Sequence, residues 1–111
     1  MIQTIEDSTF DSLVITAERP VLVEFGATWC PPCRMMAPVL DDIAVARSDF
    51  RIATIDVDAN PVTPARYSVM SIPTLLLFVK GAPVRQVVGF TPKGRLLELI
   101  DEALVAATVV R

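Results

Sequence analysis

The sequence predicts an α/β protein, a central mixed β-sheet flanked by helices on both faces. Three observations point there. "VLVEFGA", residues 21–27, is an apolar run broken only by Glu24, and reads as a strand buried on both faces. Helical stripes precede and follow it, so the first strands should run parallel and be joined by right-handed crossovers. "TLLLFVKGAPVRQVVGF" reads as two strands joined at Lys80-Gly81-Ala82-Pro83, a hairpin that adds an antiparallel edge.

The elements follow in order. In "DSTFDSLVITAE", Ser8 is a good N-cap, and Asp11 three residues later makes a capping-box-like start. Phe10, Leu13, Val14 and Ala17 form its helical stripe, and Arg19-Pro20 ends it. After the strand at 21–27, Pro31 to about Ser48 reads as a second helix, apolar at Met35, Met36, Val39, Leu40, Ile43 and Ala44. "RIATIDVDA" is rich in β-branched residues and reads as a strand. "NPVTPARYSV" is a proline-punctuated connection with room for one helical turn. The last helix, "TPKGRLLELIDEAL", has Thr91 as N-cap and Pro92 at its first position. Leu96, Leu97, Leu99, Ile100, Ala103 and Leu104 face it toward the sheet. The final "ATVVR" carries no motif and is expected to fray.

Composition bounds the function. The chain has 111 residues, enough for one domain spanning 1–111. Apolar residues make up 52%, too many for a disordered chain. No apolar run reaches the roughly 18 residues of a membrane span. "MIQTIEDSTF" lacks a basic segment followed by an apolar block, so no secretory signal is expected. Net charge is −3, with ten basic and thirteen acidic residues and no Lys/Arg block, which argues against nucleic-acid binding. There is no histidine, the usual general base and a common metal ligand. Both cysteines of the chain fall in one motif, "WCPPC", and there the chemistry must lie.

Cys30 sits where the second helix begins, on the carboxyl side of a buried strand, which is where sites in such sheets lie. Pro31 and Pro32 occupy positions where a missing N–H costs least. The helix dipole favours an anion there and should lower the Cys30 pKa. Cys33, one turn further in, should be more buried and less ionised. That asymmetry distinguishes an attacking thiol from a resolving one. A free cysteine is roughly 3% thiolate at pH 7, and lowering its pKa to about 7 raises that some sixteen-fold. Intrinsic nucleophilicity falls about six-fold at the same time, leaving a net gain of about three-fold. The larger effect is on Cys30 as leaving group. Three other readings stay open. A structural disulfide closing so short a loop contributes only about 2 kcal/mol. Half of a zinc site would need a second chain, since no other Cys or His exists. The third is chance proximity of two small buried residues, against which the strand–WCxxC–helix context argues.

With that motif in its setting, the chain resembles the thioredoxin family over almost its whole length. The matching stretches are "TFDSLV", "PVLVEFGATWCPPCRMMAPVL", "DVDANPVTPARYSVMSIPTLLLFVKGAPV", "VVGF" and "KGRLLELID". The resemblance implies the thioredoxin fold, with "IQTI" as a short edge strand, and a thiol–disulfide oxidoreductase that reduces protein disulfides through a mixed disulfide. It implies that Cys30 attacks, Cys33 releases product, Trp29 shields the site and contacts substrate, and Pro73 is a cis-proline facing the cysteines. Ile72 would offer backbone to an extended substrate, and Val57, Asp58, Val88, Gly89 and Phe90 would form the rim. Pro38 would kink the second helix. The implied electron donor is a flavin- and NADPH-dependent thioredoxin reductase, with no bound cofactor or metal. The expectation is a cytoplasmic monomer.

The chain departs from the family at four places. Glu24 stands where the family has Asp, and Thr54 where its usual lysine partner would be; Glu24, with its pKa raised by burial, is the candidate proton relay to Cys33. Gly26 replaces a frequent aromatic residue behind the site, and Pro31 replaces the usual glycine and should alter the redox poise. Two alternative functions follow. One is a binding or assembly module using the face around Trp29, Ile72 and Phe90. The other is an isomerase or oxidant with a retuned potential.

Overall fold

A computed structural model describes residues 2–109. Its strands are β1 (Ile2–Ile5), β2 (Val21–Gly26), β3 (Arg51–Asp56), β4 (Thr74–Val79) and β5 (Ala82–Val88). Its helices are α1 (Pro31–Ala46), α2 (Val62–Arg66) and α3 (Lys93–Val109). The strand order is β1-β3-β2-β4-β5. β3 runs parallel to β1 and β2, while β4 is antiparallel to β2 and β5. The expected mixed sheet is therefore present, with the hairpin on one side.

Alternation along the central strands feeds two cores. Leu22 of β2 and Leu75 and Leu77 of β4 face Met36, Leu40 and Ile43 of α1 and Leu96 and Ile100 of α3. Val21, Val23 and Phe25 of β2, with Leu76 and Phe78 of β4, face Phe10 and Val14 on the other side. There Phe10, Tyr67 and Phe78 form a ring cluster with centroids 5.1–5.5 Å apart. Helices thus cover both faces of the sheet.

Boundaries shift in five places. The first helical segment is a 3₁₀ turn, Asp7–Thr9, followed by wider π-type turns, Asp11–Ile15. Its N-cap is Glu6 rather than Ser8, and the Glu6 N–H donates to Thr9 Oγ1 at 3.0 Å. Asp7 is drawn elsewhere: its carboxylate accepts from the Val62 N–H, the Thr63 N–H and the Thr63 hydroxyl at the start of α2. The Asp11 carboxylate pairs with Arg66 at 2.8 Å. α1 ends at Ala46, two residues short of Ser48, and runs unbroken across Pro38. The β3 strand stops at Asp56, where the chain turns. The hairpin turn is only Lys80-Gly81, both at positive φ (52° and 81°), the conformation that matches strand twist in two-residue loops. Ala82 and Pro83 belong to β5. α3 continues through the "ATV" of the last motif-free stretch; Val110 and Arg111 lie outside the described residues.

Candidate active site

β2 delivers Gly26 to the carboxyl end of the sheet, and four residues later Cys30 is the N-cap of α1. Pro31 and Pro32 fill the first helical positions, so the first N–H near the sulfur is that of Cys33, which donates to Cys30 Sγ at 3.3 Å. The two cysteines are joined as a disulfide, with Cα atoms 5.2 Å apart. The helix start therefore aims a backbone donor at Cys30, where a thiolate would sit.

The chain returns to this point from three directions. The Ile72–Pro73 peptide is cis, and the Ile72 carbonyl oxygen lies 4.0 Å from Cys30 Sγ. Pro73 is buried, and its carbonyl accepts from the Gly89 N–H at 2.8 Å, which brings Val88, Gly89 and Phe90 alongside. Val57 is tied to the end of β2, its N–H donating to the Gly26 carbonyl at 2.9 Å. Asp58 accepts from Trp29 Nε1 at 2.7 Å, so the indole is pinned at its polar edge while 63% of the residue stays exposed. Val88 and Phe90 are exposed. All the residues that the sequence placed around the cysteines are thus brought to one end of the molecule. One other was missed. Asp56 accepts from the Asp58 N–H at 2.8 Å and holds the loop that carries Trp29's partner; nothing in its sequence setting marks it.

Glu24 lies on the α1 side of the sheet, opposite Thr54 of β3 and Leu75 of β4. It is 7% exposed, and its Oε2 has no hydrogen-bond partner. Burial pushes its carboxyl up to about 7. Gly26 separates it from the disulfide: a Cβ there would stand 3.3 Å from Cys33 Sγ and 3.7 Å from Glu24 Cδ. Glu24 and Cys33 thus face each other across the width of one methyl group.

One expectation is reversed. Cys33 is not the more buried residue of the disulfide: it is 8% exposed and Cys30 is 3% exposed, so both are buried. Ile72 and Pro73 lie over Cys30, whereas the missing side chain at Gly26 opens a cleft of about 380 Å³ behind Cys33. A larger cleft of about 640 Å³, lined by Arg19, Arg47, Phe50 and Arg51, contains neither cysteine nor Glu24 and is not the site.

A cysteine pair at a strand-to-helix junction, opposed by a cis-proline loop on a mixed sheet, defines a thiol–disulfide oxidoreductase. The thioredoxin family model matches residues 1–102. A thioredoxin from Staphylococcus aureus is 50% identical over 103 residues, covering 90% of this chain and 95% of the relative. One from Alicyclobacillus acidocaldarius is 49% identical over 102 residues (91% and 96%), and one from Mycobacterium tuberculosis is 46% identical over 101 (90% and 87%). The chain belongs to the thioredoxin family, and is by class a protein-disulfide reductase acting on disulfide-containing proteins. Among the described residues, no helix is long and apolar enough to cross a membrane.

Proposed function

We propose that Cys30 is the attacking thiol and Cys33 the resolving one. The Cys30 thiolate attacks a substrate disulfide, forming a mixed disulfide and expelling one substrate thiolate. Cys33 then attacks Cys30 Sγ, the mixed disulfide breaks, and the second substrate thiol departs. The substrate gains two electrons and two protons, and the Cys30–Cys33 disulfide remains. The observation that carries this reading is the Cys33 N–H aimed at Cys30 Sγ at 3.3 Å, which stabilises Cys30 both as thiolate and as leaving group.

Trp29, Ile72, Pro73, Val88 and Gly89 receive the substrate. The Ile72 carbonyl, beside Cys30 Sγ, is the acceptor for an extended substrate backbone. Glu24 takes the proton from Cys33 as it becomes nucleophilic, a role suited to a carboxyl at about 7. The chain works as one cytoplasmic domain and a monomer, recharged by a flavin- and NADPH-dependent thioredoxin reductase. The test is Cys33→Ser with an oxidised protein target. A mixed disulfide at Cys30 on non-reducing gels is expected, and absence of any adduct refutes the roles. The reduction potential separates directions: about −270 mV marks a reductase and about −120 mV a strong oxidant.

A further inference from the structure

Behind the disulfide lies a cleft of about 380 Å³. Its walls include Thr4, Glu24, Gly26, Cys33, Arg34 and Thr54, and Cys30 is not among them. The sheet register sets Thr4 opposite Thr54 and Thr54 opposite Glu24, so one carboxyl and two hydroxyls cross three strands in a row. Gly26 brings no side chain to the cleft, and a Cβ there would stand 3.3 Å from Cys33 Sγ. Glu24 Oε2, buried and without a partner, is a polar group awaiting a donor or able to supply one.

We propose that this cleft is a second entrance to the redox centre, admitting small hydroperoxides to Cys33 in the dithiol form. The entrance is separate from the face where Cys30 meets proteins. A molecule two heavy atoms long fits a cleft of about 380 Å³ with room to turn. An uncharged one suits walls that bear Glu24 and Asp56 beside the single cation Arg34.

The chemistry balances without a further reagent. The Glu24 carboxylate takes the Cys33 proton, and the resulting thiolate attacks the near oxygen of hydrogen peroxide. An S–O bond forms, the O–O bond breaks, and the departing hydroxide leaves as water with a proton from the Glu24 carboxyl. Cys30 then attacks the Cys33 sulfenic acid. The S–S bond forms, the S–O bond breaks, and a second water leaves with the proton that Cys30 gave up. The two thiols lose two electrons, and the peroxide gains them. Thr4 and Thr54 supply hydroxyls that can hold the peroxide beside the sulfur. Which thiol leads in protein disulfide exchange does not enter this scheme.

The test uses Cys30→Ser, in which Cys33 is the sole cysteine. Sulfenic acid formed by hydrogen peroxide is trapped with dimedone and followed by mass spectrometry, with rates expressed per thiolate from an ultraviolet titration. Adding Gly26→Ala places a methyl group against Cys33 Sγ, and adding Thr4→Leu narrows the cleft from its far wall without touching the sulfur. Each is expected to slow oxidation about five-fold or more. An unchanged rate in whichever of the two folds means that peroxide arrives past residue 30, and overturns the proposal. The mixed-disulfide trap reads Cys30 in a different variant, so its failure is distinguishable from this one.

Discussion

Glu24→Gln should flatten the pH dependence of stability of the oxidised protein. Glu24 carries its proton to about 7 in the fold, against 4.5 in the free carboxyl, because burial penalises the charge. The folded state therefore binds more protons than the unfolded state across that interval, so stability falls as pH rises. Linkage between those values gives a loss of about 2–3 kcal/mol from about pH 5 to about pH 8, and on the order of 2 kcal/mol once solvent in the cleft screens the charge. The window is clean. The chain has no histidine, and the disulfide removes both thiols from titration. Urea denaturation at the two pH values, for wild type and variant, gives a double difference from which the cost of burying an amide cancels. With urea slopes of roughly 1–3 kcal/mol/M, the wild-type midpoint should fall by on the order of 1 M more than the variant's. Parallel pH dependences in the two proteins would refute the argument that Glu24 is buried with its proton.

Three further outcomes follow from packing and geometry. Phe10→Ala empties the centre of the Phe10–Tyr67–Phe78 ring cluster and should cost about 3–5 kcal/mol in chemical denaturation. Gly81→Ala should destabilise by about 1–3 kcal/mol in the same assay, because Gly81 has φ +81° and a Cβ would lie 2.7 Å from the Ile15 carbonyl. Trp29→Ala should raise KM for an oxidised protein substrate about five-fold while changing stability by less than about 1 kcal/mol, since the indole is mostly exposed and its one hydrogen bond is to Asp58.

How legible each part was in the sequence depends on the range of the interactions behind it. Leu22 and Val23, or Leu75 and Leu76, must serve two cores, and a strand buried on both faces announces itself as an unbroken apolar run. The Cys30 helix start was equally legible, because Pro31, Pro32 and the donor from Cys33 are local. The first helical segment was not. Ser8 has the right chemistry for a cap, but Asp7 is pulled to the start of α2, more than fifty residues along, and the turns open to place Phe10 and Val14 in the core. The relative burial of the two cysteine residues also failed, because it depends on what stands across the sheet. Gly26, Thr54 and Thr4 are ordinary residues until the register sets them around Cys33. Pro73 was expected to be cis only through the family resemblance; nothing in "SIPT" alone specifies it.

The hairpin has a consequence beyond the redox centre. β5 is one margin of the sheet, and its outward backbone groups are of the kind that recruits foreign strands into aggregates. Pro83 stands there opposite Phe78, at the place where the β4–β5 register slips, and removes a donor from the margin. Arg85 adds a charge two residues on, held 3.5 Å from Glu102. The opposite margin, β1, is four residues long. Strand-seeking chains therefore meet no continuous ladder along either border. Accretion at the sheet's borders is suppressed by the same segment that closes the hairpin.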